Sequence, residues 1–240
     1  MGLVSTLLLL YARIWLINDN LLPIYFETHG NKAWVYELSQ ETNKIPVVFQ
    51  NSYRNASMYS FYSGNASFSL NTTARRQNQF TIDDSESKIQ GKRIAYIAKK
   101  LQEADFEYSK KNGTTYKGKY IDSFKSHRKL WCFTNSSDLN PEQLHDLKIG
   151  IYNPYKENIP VRNIELYVAY LNEYKEYITL ENIECSDLQD ISPYLTAQDT
   201  LYIRCTIPAP EDENVHYIRF GIAENGLKAG INSKFLKLNK

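Results

Sequence analysis

The turn QNSYR, residues 50–54, combines residue types that could bind an anion. It follows the apolar run PVVFQ, which predicts a buried strand, and it opens a predicted helix at residues 53–62. A helix N-terminus presents unpaired backbone N–H groups that favour negative charge, and Arg54 could add a positive charge. The simpler alternative is that Asn51 or Ser52 only caps the helix. The candidate binding residues at this turn are Asn51, Ser52, Tyr53 and Arg54.

Two arginines extend the set of candidate binding residues. Arg75 and Arg76 lie in the run RRQNQ, which follows a second predicted strand at residues 66–70. The chain contains neither of the glycine-rich motifs GxGxxG and GxxxxGKS/T, so we predict no nucleotide cofactor. The four histidines lack the spacing of metal ligands, and the three cysteines form no CxxC motif. We therefore predict no cofactor and no metal site. Neither a Ser-His-Asp arrangement nor a paired-carboxylate motif can be read from the sequence, so we assign no catalytic residue.

The elements that would position these residues form a β-α-β-α-β succession. Apolar residues at helical spacing predict a helix at residues 31–42, and Gly64 would end the helix that begins at Tyr53. Short connections and crossover helices imply a small parallel sheet, Rossmann-like in topology. The predicted strands are residues 46–50, 66–70 and 92–98, with a short helix near residues 83–89.

The second half of the chain has a different pattern. From about residue 114 onward, apolar and polar residues alternate with a period of two, which indicates half-buried strands. Several such strands, separated by Asn, Pro, Asp and Gly turns, predict an antiparallel β-sandwich. The fold class is therefore α+β. The strand predictions begin near Leu147, Ile164, Leu201 and His216, with further candidates at residues 116–121, 129–133, 174–180 and 231–238.

The tyrosines of this half allow two interpretations. The chain contains 19 tyrosines, and exposed rings on a sheet can stack on sugars. The strand propensity of tyrosine explains the same positions without a ligand, and we favour that explanation.

Residues 3–17, LVSTLLLLYARIWLI, have the composition of a membrane segment. The run is shorter than the roughly 20 apolar residues of a spanning helix, and it lacks the basic start and the cleavage site of a signal peptide. We interpret it as the last turns of a transmembrane helix whose beginning lies before Met1, with Tyr11, Arg13 and Trp15 at the membrane interface. An amphipathic or core helix of a soluble protein is the alternative. The predicted units are the helix end at residues 1–22, a small α/β domain at 23–112 and the β-sandwich at 113–240.

The string PVVFQNSYRNASMYSFYSG, residues 46–64, resembles part of the C-terminal soluble region of bacterial membrane glycosyltransferases of family 39. These enzymes are relatives of the protein O-mannosyltransferases and of the aminoarabinose transferase that modifies lipid A. Further matches are SFSLN, RRQNQ, GKRIAYIA and the late segments RFGI and INSKFLKL. The sequence is most similar in type to Bacteroidetes members, and the resemblance covers most of the chain.

This resemblance implies a function for the whole enzyme and a location for this part of it. Family members use a multi-helix membrane domain to transfer a sugar from a polyprenyl-phosphate carrier to an extracytoplasmic acceptor. Their catalytic carboxylate lies in an early loop of that membrane domain, and no position of this chain matches it. The chain would then be an extracytoplasmic region, inactive alone, attached to the bacterial inner membrane and facing the periplasm.

The implied partners are the membrane, the N-terminal membrane domain, and a glycan or lipid-linked sugar. A formal net charge of +1 gives no reason to expect nucleic acid. An alternative from another class is a membrane-tethered carbohydrate-binding or interaction module without catalysis. A weaker alternative is a soluble α/β enzyme with a fused sandwich.

The cysteines and the charges leave two further questions open. Cys205 alternates with Leu201 and Ile203, which favours a buried small hydrophobe, although a bridge to Cys185 is possible in an exported domain.

Residues 88–130 carry twelve basic and four acidic residues, whereas residues 181–215 carry one basic and eight acidic residues. These stretches could dock on each other, or the basic stretch could face anionic lipid headgroups.

Overall fold

A computed structural model describes residues 2–18, 21, 29–110, 113–185 and 192–239. Over these residues the protein is a mixed α+β chain with few helices, and its sheets combine parallel and antiparallel strands. The described α-helices are α1 Gly2–Ile17, α2 Asn31–Glu41, α3 Tyr53–Ser63 and α4 Gln79–Ile82, and a 3-10 turn follows at Asp84–Lys88.

The first sheet has five strands in the order β2-β1-β3-β5-β4. Its strands are β1 Val47–Gln50, β2 Ser67–Leu70, β3 Lys92–Ala98, β4 Phe106–Ser109 and β5 Thr115–Phe124. As the sequence predicts, β2 and β3 both pair with β1 in parallel. In contrast to the prediction of a wholly parallel sheet, β5 pairs with β3 and β4 in antiparallel fashion.

Strand β5 also corrects the prediction for residues 116–121. The sequence assigned these residues to the second half, where a period of two dominates, but they extend the first sheet. Alternation shows that a strand has one buried face, and it does not show which sheet the strand joins. The predicted boundary between residues 112 and 113 therefore falls in the connection between β4 and β5.

Local sequence explains both ends of α3. The Ser52 Oγ accepts a hydrogen bond from the Asn55 backbone N–H at 3.3 Å, which caps the first turn. Gly64 takes the left-handed conformation at φ 72°, and its N–H bonds to the Ser60 carbonyl. The predicted cap and the predicted stop are both confirmed.

The two faces of the first sheet bury different clusters. Helices α2 and α3 cover one face, where Trp34, Leu38 and Tyr59 pack on side chains of β1 and β3. The other face buries a second cluster that contains Tyr96 and is joined by Leu227, from the second half of the chain. The first sheet is therefore covered by helices on one side and contacted by the β-rich part on the other.

The second half contains two larger sheets and a two-stranded pair. One sheet has the order β11-β10-β15-β16-β7, the other has the order β12-β14-β8-β6, and β13 pairs with β9. Buried side chains of both larger sheets form one hydrophobic cluster. The strands are β6 Trp131–Phe133, β7 Asp138–Leu139, β8 Leu147–Tyr152, β9 Ile159–Pro160, β10 Glu165–Leu171, β11 Tyr177–Asn182, β12 Glu184–Cys185, β13 Tyr194–Leu195, β14 Thr200–Thr206, β15 Tyr217–Ala223 and β16 Leu236–Leu238.

The predicted alternation is confirmed in these strands, with one correction to the pairing. Ile149 and Ile151 of β8 are buried between exposed or glycine positions, as are Ile203 and Cys205 of β14. The strand pairs are antiparallel except for β16 with β7, which are parallel. The prediction of a purely antiparallel arrangement is therefore wrong at this one edge.

Helix α1 is apolar and exposed. Its residues 2–11 are all exposed, and Leu3 retains 78% of its accessible surface. The helices within the described ranges include none that is long and apolar enough to cross a membrane.

Cys185 and Cys205 form a disulfide between β12 and β14. The sequence left this pairing open, because the two residues are 20 positions apart and follow no motif. The register of the two strands brings them directly opposite each other. Cys132 is buried and free.

Candidate functional site

Asn51 uses its side chain to join two strand ends. It takes a left-handed conformation at φ 55° directly after β1. Its Oδ1 accepts a hydrogen bond from the Thr72 backbone N–H at 2.8 Å, and its Nδ2 donates to the Thr72 Oγ1 at 3.1 Å. Thr72 also forms a bridge with Gly230. The amide of Asn51 therefore links β1 to the segment after β2, next to the second half of the chain.

The other predicted binding residues are not gathered into one site. Ser52 caps α3, Tyr53 is 63% exposed at its start, and Arg54 is half-buried. Arg75 and Arg76 are exposed, and their main-chain carbonyls accept hydrogen bonds from Arg219 Nη1 at 3.2 Å and from Asn71 Nδ2 at 2.6 Å, respectively.

A cavity of about 810 Å³ opens beside this turn, at Gln50. It lies where the carboxyl ends of β1 and β3 are adjacent, and the turn at residues 225–228 covers it from the second half. The chain runs from β1 to β2 on one side and then to β3 on the other, so this is the point where the strand order reverses. Open α/β sheets bind ligands at this point. The lining residues include Gln50 but none of the six predicted binding residues.

Three lysines from separate segments line this cavity. Lys100 follows β3, Lys119 lies on β5, and Lys228 lies in the covering turn. Lys119 Nζ lies 3.8 Å from the carboxylate of Glu103. Among the residues that the structure describes, neither Lys100 nor Lys228 has an ion-pair partner. The carboxylates of Glu103 and Asp122 also line the cavity, but Glu103 is near Lys119 and Asp122 is paired with Arg93, so the charges of Lys100 and Lys228 are not paired within the described residues.

Two tyrosines also contribute to the lining of this cavity. Burial raises the pKa of Tyr96 well above its usual range, an effect that Arg128 opposes. Burial also raises the pKa of Tyr120, and Glu41 adds to the increase. Both phenols therefore stay protonated at neutral pH. The Tyr120 hydroxyl donates a hydrogen bond to the Glu41 carbonyl at 3.0 Å, which holds its ring on the face of the sheet that α2 and α3 cover.

A buried polar network lies between the two halves. Glu86 Oε1 accepts hydrogen bonds from Ser126 Oγ at 2.6 Å and from the Arg128 backbone N–H at 2.9 Å. Its Oε2 accepts from the Tyr155 hydroxyl at 2.6 Å. Arg128 Nε lies 3.2 Å from Glu224 Oε1, and both side chains are almost fully buried. The network connects the first sheet to the strands that carry the covering turn.

Burial changes the titration of two groups in this network. It raises the pKa of Glu224, an effect that Arg128 opposes. It lowers the pKa of His127 to about 4, and the charges of Lys125 and Arg128 act in the same direction. His127 is therefore neutral at physiological pH. Its backbone N–H donates to Glu224 Oε1 at 3.3 Å.

The predicted binding turn lies at the same edge of the sheet as the cavity, but none of its four candidate residues lines the cavity. The turn after β1 contains Asn51, Ser52 and Arg54, and the cavity opens one residue earlier, at Gln50. Lys100 could have been found, because it directly follows a predicted strand at the same edge. Lys119 and Lys228 could not have been found from the sequence, because only the tertiary fold brings their segments next to β3.

Within the described part of the chain, no group of three or more His, Cys, Asp or Glu residues is arranged to hold a metal ion.

Comparisons of the chain with protein-family models, with curated proteins and with solved structures find no match.

Proposed function

We propose that this chain is the extracytoplasmic, non-catalytic C-terminal region of an integral membrane glycosyltransferase that uses a polyprenyl-phosphate sugar. Its place is the bacterial inner membrane, with the folded part in the periplasm. The observation that carries the proposal is helix α1, whose apolar side chains at Leu3, Leu8 and Leu9 are 64–78% exposed. A continuous apolar surface of this kind marks a contact with lipid or with other membrane helices.

Two further observations support this proposal. The Cys185–Cys205 disulfide suits an oxidising compartment such as the periplasm. The far end of α1 is attached to the folded part, because the Trp15 carbonyl is hydrogen-bonded to His29 Nε2 at 2.8 Å. The folded part would thus sit directly at the membrane surface.

The same proposal includes a finer description of the fold. The parallel order β2-β1-β3, with α3 in the first crossover, supports a Rossmann-like unit. The two larger sheets that share one core support a β-sandwich after it.

Flotation with lipid vesicles tests the role of α1. The full chain should float with vesicles of phosphatidylethanolamine and phosphatidylglycerol. The double variant Leu7→Asp/Leu8→Asp should lose most of this binding, because each buried Asp costs about 3 kcal/mol in a membrane. The control is Phe61→Asp, which removes a 78% exposed aromatic ring from α3 and should float like the wild type. Equal flotation of the α1 variant and the wild type would count against the proposal.

A transfer assay tests the absence of catalysis. The purified chain, incubated with a polyprenyl-phosphate sugar and an acceptor, should release no more sugar than buffer does. Robust turnover by these 240 residues would refute the proposal.

A second candidate function is a membrane-tethered carbohydrate-binding module, favoured by an aromatic surface on the sheet of β6, β8 and β14. Trp131 pairs with Tyr152, and Phe133 and Tyr202 both flank Gly150. The Phe133 ring lies over Gly150, where a Cβ would stand 2.6 Å from its Cζ. Partly exposed aromatic rings on one sheet face can stack on sugars.

A glycan array with the full chain distinguishes the two functions. A binding module should select particular glycans without its membrane partner, and Tyr202→Ala should abolish the signal. A non-catalytic region of a transferase should bind no glycan through this surface.

A further inference from the structure

We propose that the cavity at Gln50, between the carboxyl ends of β1 and β3 and the turn at residues 225–228, binds a small organic phosphate. This site lies on the folded part of the chain and uses only its own side chains. The proposal therefore does not rest on the function proposed above, and either can fail without the other.

The position of the cavity is the first argument. The strand order reverses between β1 and β3, so the connections that leave these strands diverge and open a crevice at the sheet edge. The cavity also lies where two parts of the chain meet, since residues 225–228 follow β15 of the second half. Its volume of about 810 Å³ is within the usual range for ligand sites.

The charge of the cavity is the second argument. Lys100, Lys119 and Lys228 come from three segments far apart in sequence and line the same space. Two carboxylates, Glu103 and Asp122, line the same cavity, and each has a cationic partner of its own. Glu103 is near Lys119, and Asp122 is bound by Arg93 at 3.4 Å. An added anion would neutralise the two remaining lysines.

The rigidity of the walls is the third argument. The Lys228 carbonyl accepts a hydrogen bond from Arg128 Nη2 at 3.4 Å, and Asn225 Nδ2 donates to the Lys125 carbonyl at 2.6 Å. Both ends of the covering turn are therefore tied to the segment after β5. A cation held on such a turn loses less conformational freedom when it binds a ligand.

The chemistry of the lining indicates an ester of phosphate. Lysine ammonium groups bind phosphate as point charges, and the two that have no ion-pair partner among the described residues, Lys100 and Lys228, suit a dianion better than a singly charged carboxylate. The Gln50 amide, which lines the same cavity, suits a hydroxylated organic body. Such a ligand could be a soluble sugar phosphate or the headgroup of a phosphorylated lipid.

Isothermal titration of the full chain tests the site with glucose 1-phosphate as the probe. We expect saturable binding, weakened about tenfold by Lys100→Ala and about a hundredfold by Lys100→Ala/Lys228→Ala, since each lysine makes a charged hydrogen bond. The matched control is Lys88→Ala/Lys237→Ala, which removes two exposed lysines outside the cavity lining and should bind like the wild type. Thermal melting of each variant checks that it is folded.

Further probes identify the part of the ligand that is recognised. Glucose should not bind, and inorganic phosphate should bind more weakly than the ester. Vesicles with and without a phosphorylated lipid separate the two sources. A lysine-dependent gain with the phosphorylated lipid identifies a headgroup, whereas binding of the soluble ester alone identifies a free metabolite. The proposal is overturned by absence of binding to every phosphate probe, by an equal loss in the control variant, or by inorganic phosphate binding as tightly as the ester.

Discussion

The guanidinium of Arg128 lies against the α-carbon of Gly230. A Cβ at this position would stand 1.3 Å from Arg128 Nη1 and 2.4 Å from its Cζ. Arg128 is buried, and its Nε is within 3.2 Å of the Glu224 carboxylate. Gly230 therefore has no side chain because the arginine of the buried ion pair occupies that space.

We expect Gly230→Ala to lower the free energy of unfolding by about 3 kcal/mol or more. The added methyl group must displace a buried guanidinium from its carboxylate, which leaves both charges poorly paired. Urea unfolding followed by tryptophan fluorescence measures the effect.

A second glycine variant separates this clash from backbone strain. Gly226 has a left-handed φ of 66°, but a Cβ there would meet no atom within 4 Å. Gly226→Ala should therefore cost only about 1–2 kcal/mol. If the two variants are equally destabilised, the contact between Arg128 and Gly230 is not the cause.

This contact also shows which part of the fold the sequence could reveal. The sequence predicts the strand at residues 92–98 from its apolar run, and it predicts the two ends of α3 from Ser52 and Gly64. The structure agrees with both predictions. The sequence gives no sign that Gly230 must accommodate an arginine about 100 residues away. In the sequence, a glycine in a loop is most simply explained as a turn residue. Only the folded structure shows that the Arg128 side chain approaches Gly230 closely.

The candidate site likewise combines a feature that the sequence shows with contacts that only the folded structure shows. A polar turn after an apolar strand marks the carboxyl end of that strand, and this much is visible in the sequence at residues 50–54. The residues that line the cavity depend on how β5 and the covering turn reach β3, which is a matter of long-range packing. The period of two in residues 116–121 predicts a strand, but alternation does not identify the strand with which it pairs.

We expect the buried pair of Arg128 and Glu224 to show strong coupling in a double-mutant cycle. Removing one partner leaves a buried charge without its counter-charge, so Arg128→Met should cost about 3–5 kcal/mol. Adding Glu224→Gln removes that charge and keeps an acceptor for the His127 backbone N–H, so the double variant should cost less than the sum by about 1–3 kcal/mol. Urea unfolding of the four proteins gives the coupling.

An exposed ion pair supplies the control for this cycle. The side chains of Arg204 and Asp146 are in contact and are 64% and 66% exposed. Arg204→Met should cost no more than about 1 kcal/mol. Coupling near zero for the buried pair would show that the charges are solvated in the folded protein.

We expect His127 to make the protein less stable as the pH falls from 6.5 to about 4. The pKa of this side chain is lowered from 6.5 to about 4 by burial. The unfolded chain therefore binds a proton in this interval that the folded chain excludes, and stability rises with pH there. The contribution is on the order of 3 kcal/mol across the interval. Urea unfolding at pH 4.5, 5.5 and 6.5, chosen to sample about this range, measures it.

The variant His127→Gln isolates this contribution. Glu224, whose pKa is raised, has the opposite pH dependence, but it is present in both proteins and largely cancels in the difference. The difference in stability between wild type and variant should change steadily with pH in favour of the wild type at pH 6.5. A difference that is constant over this range would contradict the burial of His127.

Finally, we expect reduction of the Cys185–Cys205 disulfide to destabilise the protein by about 3 kcal/mol. The bond closes a loop with a sequence separation of 20, and opening it returns conformational entropy to the unfolded chain. For a chain of this size the melting temperature should fall by about 6–12 °C in reductant.

Thiol counting under denaturing, non-reducing conditions should find one free cysteine. That residue is Cys132, which is buried, and burial raises the pKa of its thiol to about 12, so it should not exchange with the disulfide in the folded state. The variant Cys185→Ala/Cys205→Ala should melt at the same temperature with and without reductant. Three free thiols in protein purified without reductant, or a melting temperature of the wild type that reductant does not change, would show that the strands β12 and β14 pair without this bond.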